Sequence, residues 1–86
     1  MIQKEVTINM PNGLMSRPMT FLIQKASEFK SLIWIEKDDN RADAKSLLDI
    51  LSLGIKNGSK LLIIADGADE QQAVTEIARL AEAFGN

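Results

Sequence analysis

Residues 12–18 form the stretch whose residue types and spacing most suggest chemistry. The sequence Asn-Gly-Leu-Met-Ser-Arg-Pro combines a turn former, a flexible glycine, a helix-capping serine and a cation before a proline. That combination is typical of an active-site loop that leads into a helix. The residue at its centre is Met15, whose thioether has no proton to exchange and is a poor nucleophile. We therefore interpret Met15 as a contact residue rather than a catalytic one.

A second candidate is Ser46, which the sequence pattern places at the start of a short helix. Asp49 follows three residues later and completes a capping-box-like pair. A serine at this position stabilises the helix simply as a cap. A phosphate at the same position would meet free backbone amides and the positive end of the helix dipole. The residues alone leave both the cap and the phosphorylation site open.

Asp38, Asp39 and Asp43 form an acidic cluster that resembles a cation site. We interpret it instead as the solvated tip of a hairpin, and we expect no metal. The sequence contains no histidine and no cysteine. Their absence removes the usual metal ligand, the usual general base, and all thiol and phosphohistidine chemistry. We expect no cofactor and no enzymatic activity.

Composition predicts a single small domain, residues 1–86, with no second core. A hydrophobic fraction of 45% and a charged fraction of 26% are ordinary for a soluble globular protein. The net charge of −2 argues against a protein that binds nucleic acid by neutralising phosphates. No apolar run approaches the roughly 20 residues of a membrane span, and no signal peptide is apparent. We therefore expect a cytoplasmic protein that contacts neither nucleic acid nor membranes directly.

The predicted element order is βαββαβα. This order favours an α+β sandwich with helices on one face of a mainly antiparallel, four-stranded sheet. Alternating apolar residues predict a first strand over residues 2–8, and helical spacing predicts a helix over residues 16–29. Residues 32–37 and 41–44 are predicted to form a hairpin, and residues 60–65 a central strand.

The two later helices raise separate expectations. Asp69 is predicted to cap the last helix with its side chain. The middle helix, from Ser46 to a stop at Gly54, contains more apolar residues than one buried stripe of so short a helix requires; they are Leu47, Leu48, Ile50, Leu51 and Leu53. Either this helix is buried on several sides, or it presents an apolar face to a partner.

Five short motifs, in this order on a chain of this length, resemble the signatures of a known family. They are Gly13-Leu14, Arg17-Pro18, Lys45-Ser46, Leu53-Gly54 and the Gly-Ala-Asp-Glu sequence at residues 67–70. The chain is similar over its whole length to HPr, the small phosphocarrier of the bacterial sugar phosphotransferase system. The resemblance implies an HPr-like open-faced sandwich.

The resemblance also implies roles for three positions. In the family, a loop histidine before the first helix takes a phosphoryl group from enzyme I and passes it to enzyme II components. Met15 stands at the matching position, so the relay would be abolished. Arg17 matches an arginine that helps to hold that phosphoryl group, and here we expect it to bind an acidic partner surface or local carbonyls. Ser46 matches a serine that the HPr kinase/phosphorylase modifies in Gram-positive bacteria.

HPr-like proteins that lack the histidine and keep the serine include Crh, whose phosphoserine form acts as a co-effector of a catabolite-control repressor. The chain resembles a Crh-like member, although Crh carries glutamine where this chain has Met15. We hypothesise a non-catalytic regulator of carbon catabolite control that is phosphorylated at Ser46 and binds the HPr kinase/phosphorylase and the repressor. The predicted contact surface consists of Met15, Arg17, Leu47, Leu48 and Leu51.

Two other hypotheses fit the same residues. In the first, the chain is an HPr phosphocarrier whose active histidine has been lost or replaced by Met15, and enzyme I and enzyme II components remain as vestigial partners. In the second, it is a βαββαβ binding module unrelated to sugar transport, such as an RNA-binding fold. The negative net charge and the few aromatic residues count against this last hypothesis.

Overall fold

The computed structural model describes residues 1–9 and 16–83, with the side chains of residues 16–18 outside the description. Within this part the chain forms seven elements: β1 (Ile2–Thr7), α1 (Ser16–Ala26), β2 (Leu32–Lys37), β3 (Asn40–Asp43), α2 (Leu47–Ser52), β4 (Lys60–Asp66) and α3 (Glu70–Ala83). The predicted order βαββαβα is confirmed. None of the described helices has the length and apolar character needed to cross a membrane.

The four strands form one antiparallel sheet in the order β1-β4-β2-β3. Strand β4 lies inside the sheet, where Leu61 pairs with Val6 of β1 and Ile63 pairs with Ile35 of β2. Leu61, Ile63 and Ala65 belong to the core, and Ile64 on the opposite face is only 1% exposed. Both faces of β4 therefore bury apolar side chains, which accounts for the nearly continuous apolar run that predicted a central strand. The predicted α+β fold class is confirmed.

Among the described residues, one hydrophobic core joins the sheet to the helices. Alternate strand residues point toward it, since successive side chains of a strand lie on opposite faces. Helix α1 contributes Met19 and Leu22, and helix α3 contributes Ile77, all three with no exposed surface. Burying one such side chain stabilises the fold by about 1.5–3 kcal/mol relative to leaving it in water.

The predicted hairpin between β2 and β3 is confirmed, with β3 starting one residue earlier than expected. Lys37 pairs with Asn40, so only Asp38 and Asp39 connect the strands. Both have positive φ angles, 50° and 67°. Two consecutive left-handed residues are the pattern of a type I′ turn, whose twist matches that of the flanking strands.

The prediction that Asp69 caps α3 with its side chain is wrong. The carboxylate accepts hydrogen bonds from the amides of Lys30 and Ser31, both at 2.9 Å, and from the Ser31 hydroxyl. These donors, the Ser31 hydroxyl first, lower the pKa of Asp69 from 3.8 to about 2. The carboxylate therefore fastens the segment after α1 to the turn before α3.

Gly67 makes this fastening sterically possible. A Cβ atom at Gly67 would lie 2.6 Å from the Ser31 hydroxyl oxygen and 2.7 Å from its Cα, closer than real contacts allow. The turn between β4 and α3 thus rests directly on Ser31, which is almost completely buried. Only glycine permits so close an approach of two backbone segments.

Candidate functional site

Ser46 is the N-cap of helix α2, as predicted. Its backbone is extended, with φ −118° and ψ 116°, and its carbonyl accepts the first helical hydrogen bond from the Ile50 amide at 3.1 Å. The Ser46 Oγ accepts a long hydrogen bond from the Asp49 amide at 3.4 Å. Within residues 1–9 and 16–83, that is the one hydrogen bond recorded for this oxygen. The hydroxyl is half-buried and weakly engaged.

The capping box is only half formed. A complete box would have the Asp49 carboxylate accepting from the Ser46 amide. Instead, Asp49 Oδ2 accepts from the Asp43 amide at 3.3 Å, and the Ser46 amide donates to the Asp43 carbonyl at 3.1 Å. Asp43, at the end of β3, therefore bonds to both groups that would pair with each other in a complete box. These two bonds hold the start of α2 against the sheet.

Lys45, the residue before the cap, is held in place by its own side chain. Its ammonium donates to the carbonyls of Phe29 and Ser31, both at 2.9 Å. This places the start of α2 beside the segment that Asp69 holds from the other side. The charge of Lys45 is therefore directed at these two carbonyls.

The apolar residues of α2 divide between a buried face and an exposed face. Ile50 and the C-cap residue Leu53 are buried, at 1% and 8% exposure. Leu47, Leu48 and Leu51 are 43%, 80% and 49% exposed. We call these three residues the leucine surface. Of the two alternatives that the sequence left open, the structure supports an apolar face directed at solvent.

The remaining predicted site residues belong to the segment that enters α1. Met15 lies outside the described residues. Arg17 is the second residue of α1, and its side chain lies outside the description as well. Helices α1 and α2 contact each other, so the structure brings the element that carries Arg17 next to the element that carries Ser46 and the leucine surface.

Phe21 is an exposed residue that the sequence analysis did not single out. It is 60% exposed on α1, in a groove with Lys25 of the same helix and Glu76 of α3. The sequence could have predicted this exposure, because Phe21 is out of phase with the buried helical stripe that contains Met19 and Leu22. The pKa of Lys25 is raised, mainly by its hydrogen bond to the Glu76 carboxylate and then by the Glu28 carboxylate.

The acidic hairpin tip forms no candidate metal site. Over residues 1–9 and 16–83, there is no group of three or more carboxylate, imidazole or thiol side chains arranged to hold a metal ion. Asp38 is instead paired with the Lys37 ammonium at 3.0 Å, and the Asp43 carboxylate accepts from the Lys45 amide at 2.9 Å.

Comparison with known sequences places this geometry in a family. A family model described as "PTS HPr component phosphorylation site" matches residues 2–83. The HPr-like protein Crh of Halalkalibacterium halodurans is 40% identical over 74 residues, covering 86% of this chain and 88% of the relative. The phosphocarrier protein HPr of Borreliella burgdorferi is 43% identical over 84 residues, 98% of each chain.

Comparison with solved structures agrees. The crystal structure of HPr-C-His from Thermoanaerobacter tengcongensis superposes with a TM-score of 0.93 at 38% identity, covering 100% of this chain and 98% of that chain. Sequence and fold therefore converge over nearly the whole length, at identities that show common descent rather than a shared architecture alone. The chain belongs to the HPr family, whose members among these relatives include both phosphocarriers and Crh-like proteins.

Proposed function

We propose that this protein is a non-catalytic regulator of carbon catabolite control in the cytoplasm, switched by phosphorylation of Ser46. The observation that carries the proposal is the leucine surface, which begins immediately after a half-buried and weakly bonded serine at a helix cap. A chain of the HPr family with no histidine lacks the group that a phosphocarrier needs. Its retained serine is the group that a regulator needs.

The leucine surface supports the partner side of the proposal. Three leucines with 43–80% of their surface exposed on one short helix are costly to leave in water. The proposed contact surface also includes Met15 and Arg17, and we expect the guanidinium of Arg17 to bind acidic groups of a partner. The proposed partners are the HPr kinase/phosphorylase, which modifies Ser46, and a catabolite-control repressor, which binds the modified protein.

Electrostatics around Ser46 favours a local change over refolding. A phosphate adds about −1.5 to −2 charges beside the leucine surface. The free amides of the first turn of α2 and the positive end of its dipole stabilise that charge. The carboxylates of Asp43 and Asp49, which bond to backbone amides around the cap, oppose it. The phosphate therefore changes what the leucine surface presents while the core beneath it stays packed.

Incubation with an HPr kinase, ATP and Mg²⁺ tests the modification. We expect intact-mass analysis to show one added phosphate, and peptide mapping to place it on Ser46. Ser46→Ala should remain unmodified, while Ser52→Ala, which removes a hydroxyl from the other end of α2, should be modified normally. A phosphate found elsewhere, or none at all on the folded wild-type protein, would overturn the switch.

A phosphocarrier ancestry is the second candidate, favoured by the 43% identity to a phosphocarrier over 98% of both chains. In this case enzyme I and enzyme II components are the partners, and Met15 replaces a lost histidine. Met15→His discriminates between the two. Phosphoryl transfer from phosphorylated enzyme I to the restored protein would show that the carrier docking surface is intact. Failure of transfer to a correctly folded Met15→His protein would favour the diverged regulator.

A further inference from the structure

Three lysines line one depression at the end of the sheet where the β2–β3 turn lies beside the segment that precedes β4. We call it the lysine depression and define it by Lys37, Lys56 and Lys60. Its volume is about 370 Å³, and Asp38 supplies the one carboxylate among its described lining residues. The chain as a whole has a net charge of −2, so this concentration of ammonium groups is opposite in sign to the molecule that carries it.

The backbone that positions Lys56 and Lys60 is held at several points. The Lys56 amide donates to the Ser59 hydroxyl at 2.9 Å, and the Ser59 amide donates back to the Lys56 carbonyl at 3.0 Å. Ile8 anchors the same turn to the chain after β1, since it donates to the Ser59 carbonyl and accepts from the Gly58 amide, both at 2.8 Å. Lys60 follows directly as the first residue of β4. The two lysines therefore extend from a fixed frame.

The three ammonium groups differ in how they are paired. Lys37 has only 16% of its side chain exposed, and its Nζ lies 3.0 Å from Asp38 Oδ2. Lys56 and Lys60 have no ion-pair partner in the described part of the chain. The exposed ammonium groups of Lys56 and Lys60 are therefore available to an anion that enters the depression.

The chemistry of the lining selects the class of occupant. Its described residues are lysine, aspartate, asparagine, glycine and serine, with no large apolar side chain. Protein interfaces have apolar or aromatic centres, so this depression does not fit a protein partner. A phosphate group carries close to two negative charges on several oxygens and can accept from two or three ammonium groups together. We propose that the lysine depression binds a small phosphate-bearing anion, such as a phosphorylated metabolite.

This site is separate from the proposed regulatory surface. It shares no residue with Ser46 or the leucine surface, and it does not depend on phosphorylation of the protein. Asp38 competes with the anion for Lys37, so binding is weak and sensitive to salt. The depression gives a regulator of this kind a place to sense phosphorylated small molecules directly.

The probe for the test is inorganic pyrophosphate, titrated into ¹⁵N-labelled protein at an ionic strength held constant with sodium chloride. We expect the amide shifts of residues 37, 38 and 56–60 to move together and saturate. Lys56→Gln/Lys60→Gln should weaken binding by about tenfold, the size expected when two exposed ion pairs are lost. Lys4→Gln/Lys30→Gln removes the same charge outside the depression and should leave the affinity within about twofold.

Asp38→Asn should change the affinity for pyrophosphate in the opposite direction. It frees Lys37 and removes the one described carboxylate of the lining, while asparagine tolerates the same left-handed backbone, so binding should tighten. Equal weakening by the two lysine pairs would reduce the effect to net charge and overturn the proposal. Shifts centred elsewhere, or reproduced by chloride alone, would also overturn it. The spectra themselves report whether each variant is folded.

Discussion

Asp69 shows how one residue can connect the segment after α1 to the start of α3. Its carboxylate accepts from Lys30 and Ser31, which follow α1, while its own backbone carbonyl accepts from Ala73 in the first turn of α3. Lys45 approaches the same segment from the start of α2. The segment around Ser31 is therefore held by an anion on one side and a cation on the other.

This arrangement predicts a specific pH dependence for stability. The pKa of Asp69 is about 2 in the folded protein and near 3.8 when unfolded, so the unfolded state takes up the proton first as pH falls. The stabilisation is complete above about pH 5 and is lost as pH falls through 3.8 toward 2. Asp69→Asn should have a lower melting temperature than wild type at pH 6, and the difference should shrink toward pH 2.

Thermal unfolding followed by circular dichroism across pH 2–7 checks this prediction. Glu5→Gln is the matched control, since it removes an exposed carboxylate from β1 that makes no recorded hydrogen bond to the described residues. Its melting curve should remain parallel to that of the wild type over the same range. A constant difference between Asp69→Asn and wild type at all pH values would show that charge is not what matters at this position.

At the scale of elements, the β2–β3 hairpin carries a local cost. Asp38 and Asp39 both occupy the left-handed region, and a type I′ turn prefers Asn-Gly because glycine has no Cβ to strain. Aspartate tolerates this backbone better than most residues, but not as well as glycine. The turn closes the hairpin with two residues at the expense of some backbone strain.

Asp39→Gly should therefore stabilise the protein by up to about 1 kcal/mol, because relief of the left-handed strain outweighs the freedom that glycine adds to the unfolded chain. Asp39→Ala makes the same change in charge but keeps a Cβ at φ 67°, so it should destabilise instead. Urea unfolding of the two variants separates backbone strain from electrostatics. If glycine and alanine shift the unfolding midpoint in the same direction, the loss of charge accounts for the effect and the strain argument fails.

The same elements show how far sequence reasoning reaches. Sequence patterns predicted all seven elements: periods of two and 3.6 for elements that bury one face, a run of β-formers for β2, and a nearly continuous apolar run for β4. Residue type and spacing also predicted Ser46 as a cap, since capping is a local interaction. The predicted capping of α3 by the Asp69 side chain was wrong, because the partners of that side chain, Lys30 and Ser31, are distant in sequence. The sequence did not decide whether the leucines of α2 are buried or exposed, because exposure depends on which neighbouring elements pack against the helix.

At the scale of the whole molecule, the two surfaces that we propose as binding sites differ in chemistry. The leucine surface on α2 is apolar and exposed, and α2 contacts α1. The lysine depression at the end of the sheet is cationic. We therefore propose that the apolar surface serves protein contacts and the cationic depression serves anions.

Leu48→Ser tests whether the leucine surface serves binding rather than folding. Leu48 is 80% exposed, so the change should alter the free energy of unfolding by no more than about 0.5 kcal/mol. It should, however, weaken binding of the Ser46-phosphorylated protein to a catabolite-control repressor. Leu32→Ser, at a leucine that is 59% exposed on β2, is the matched control and should leave binding unchanged. Equal effects of the two variants on binding would argue against the proposed surface.

The measurement that tests the central claim most directly is the affinity of the protein for a catabolite-control repressor with and without phosphate on Ser46. Isothermal titration calorimetry of the phosphorylated, unphosphorylated and Ser46→Ala proteins provides it. The account predicts that phosphorylation tightens binding by about tenfold or more, within the usual range for coupled sites, and that Ser46→Ala treated with the kinase binds like the unphosphorylated protein. Equal affinities for the phosphorylated and unphosphorylated proteins would contradict it.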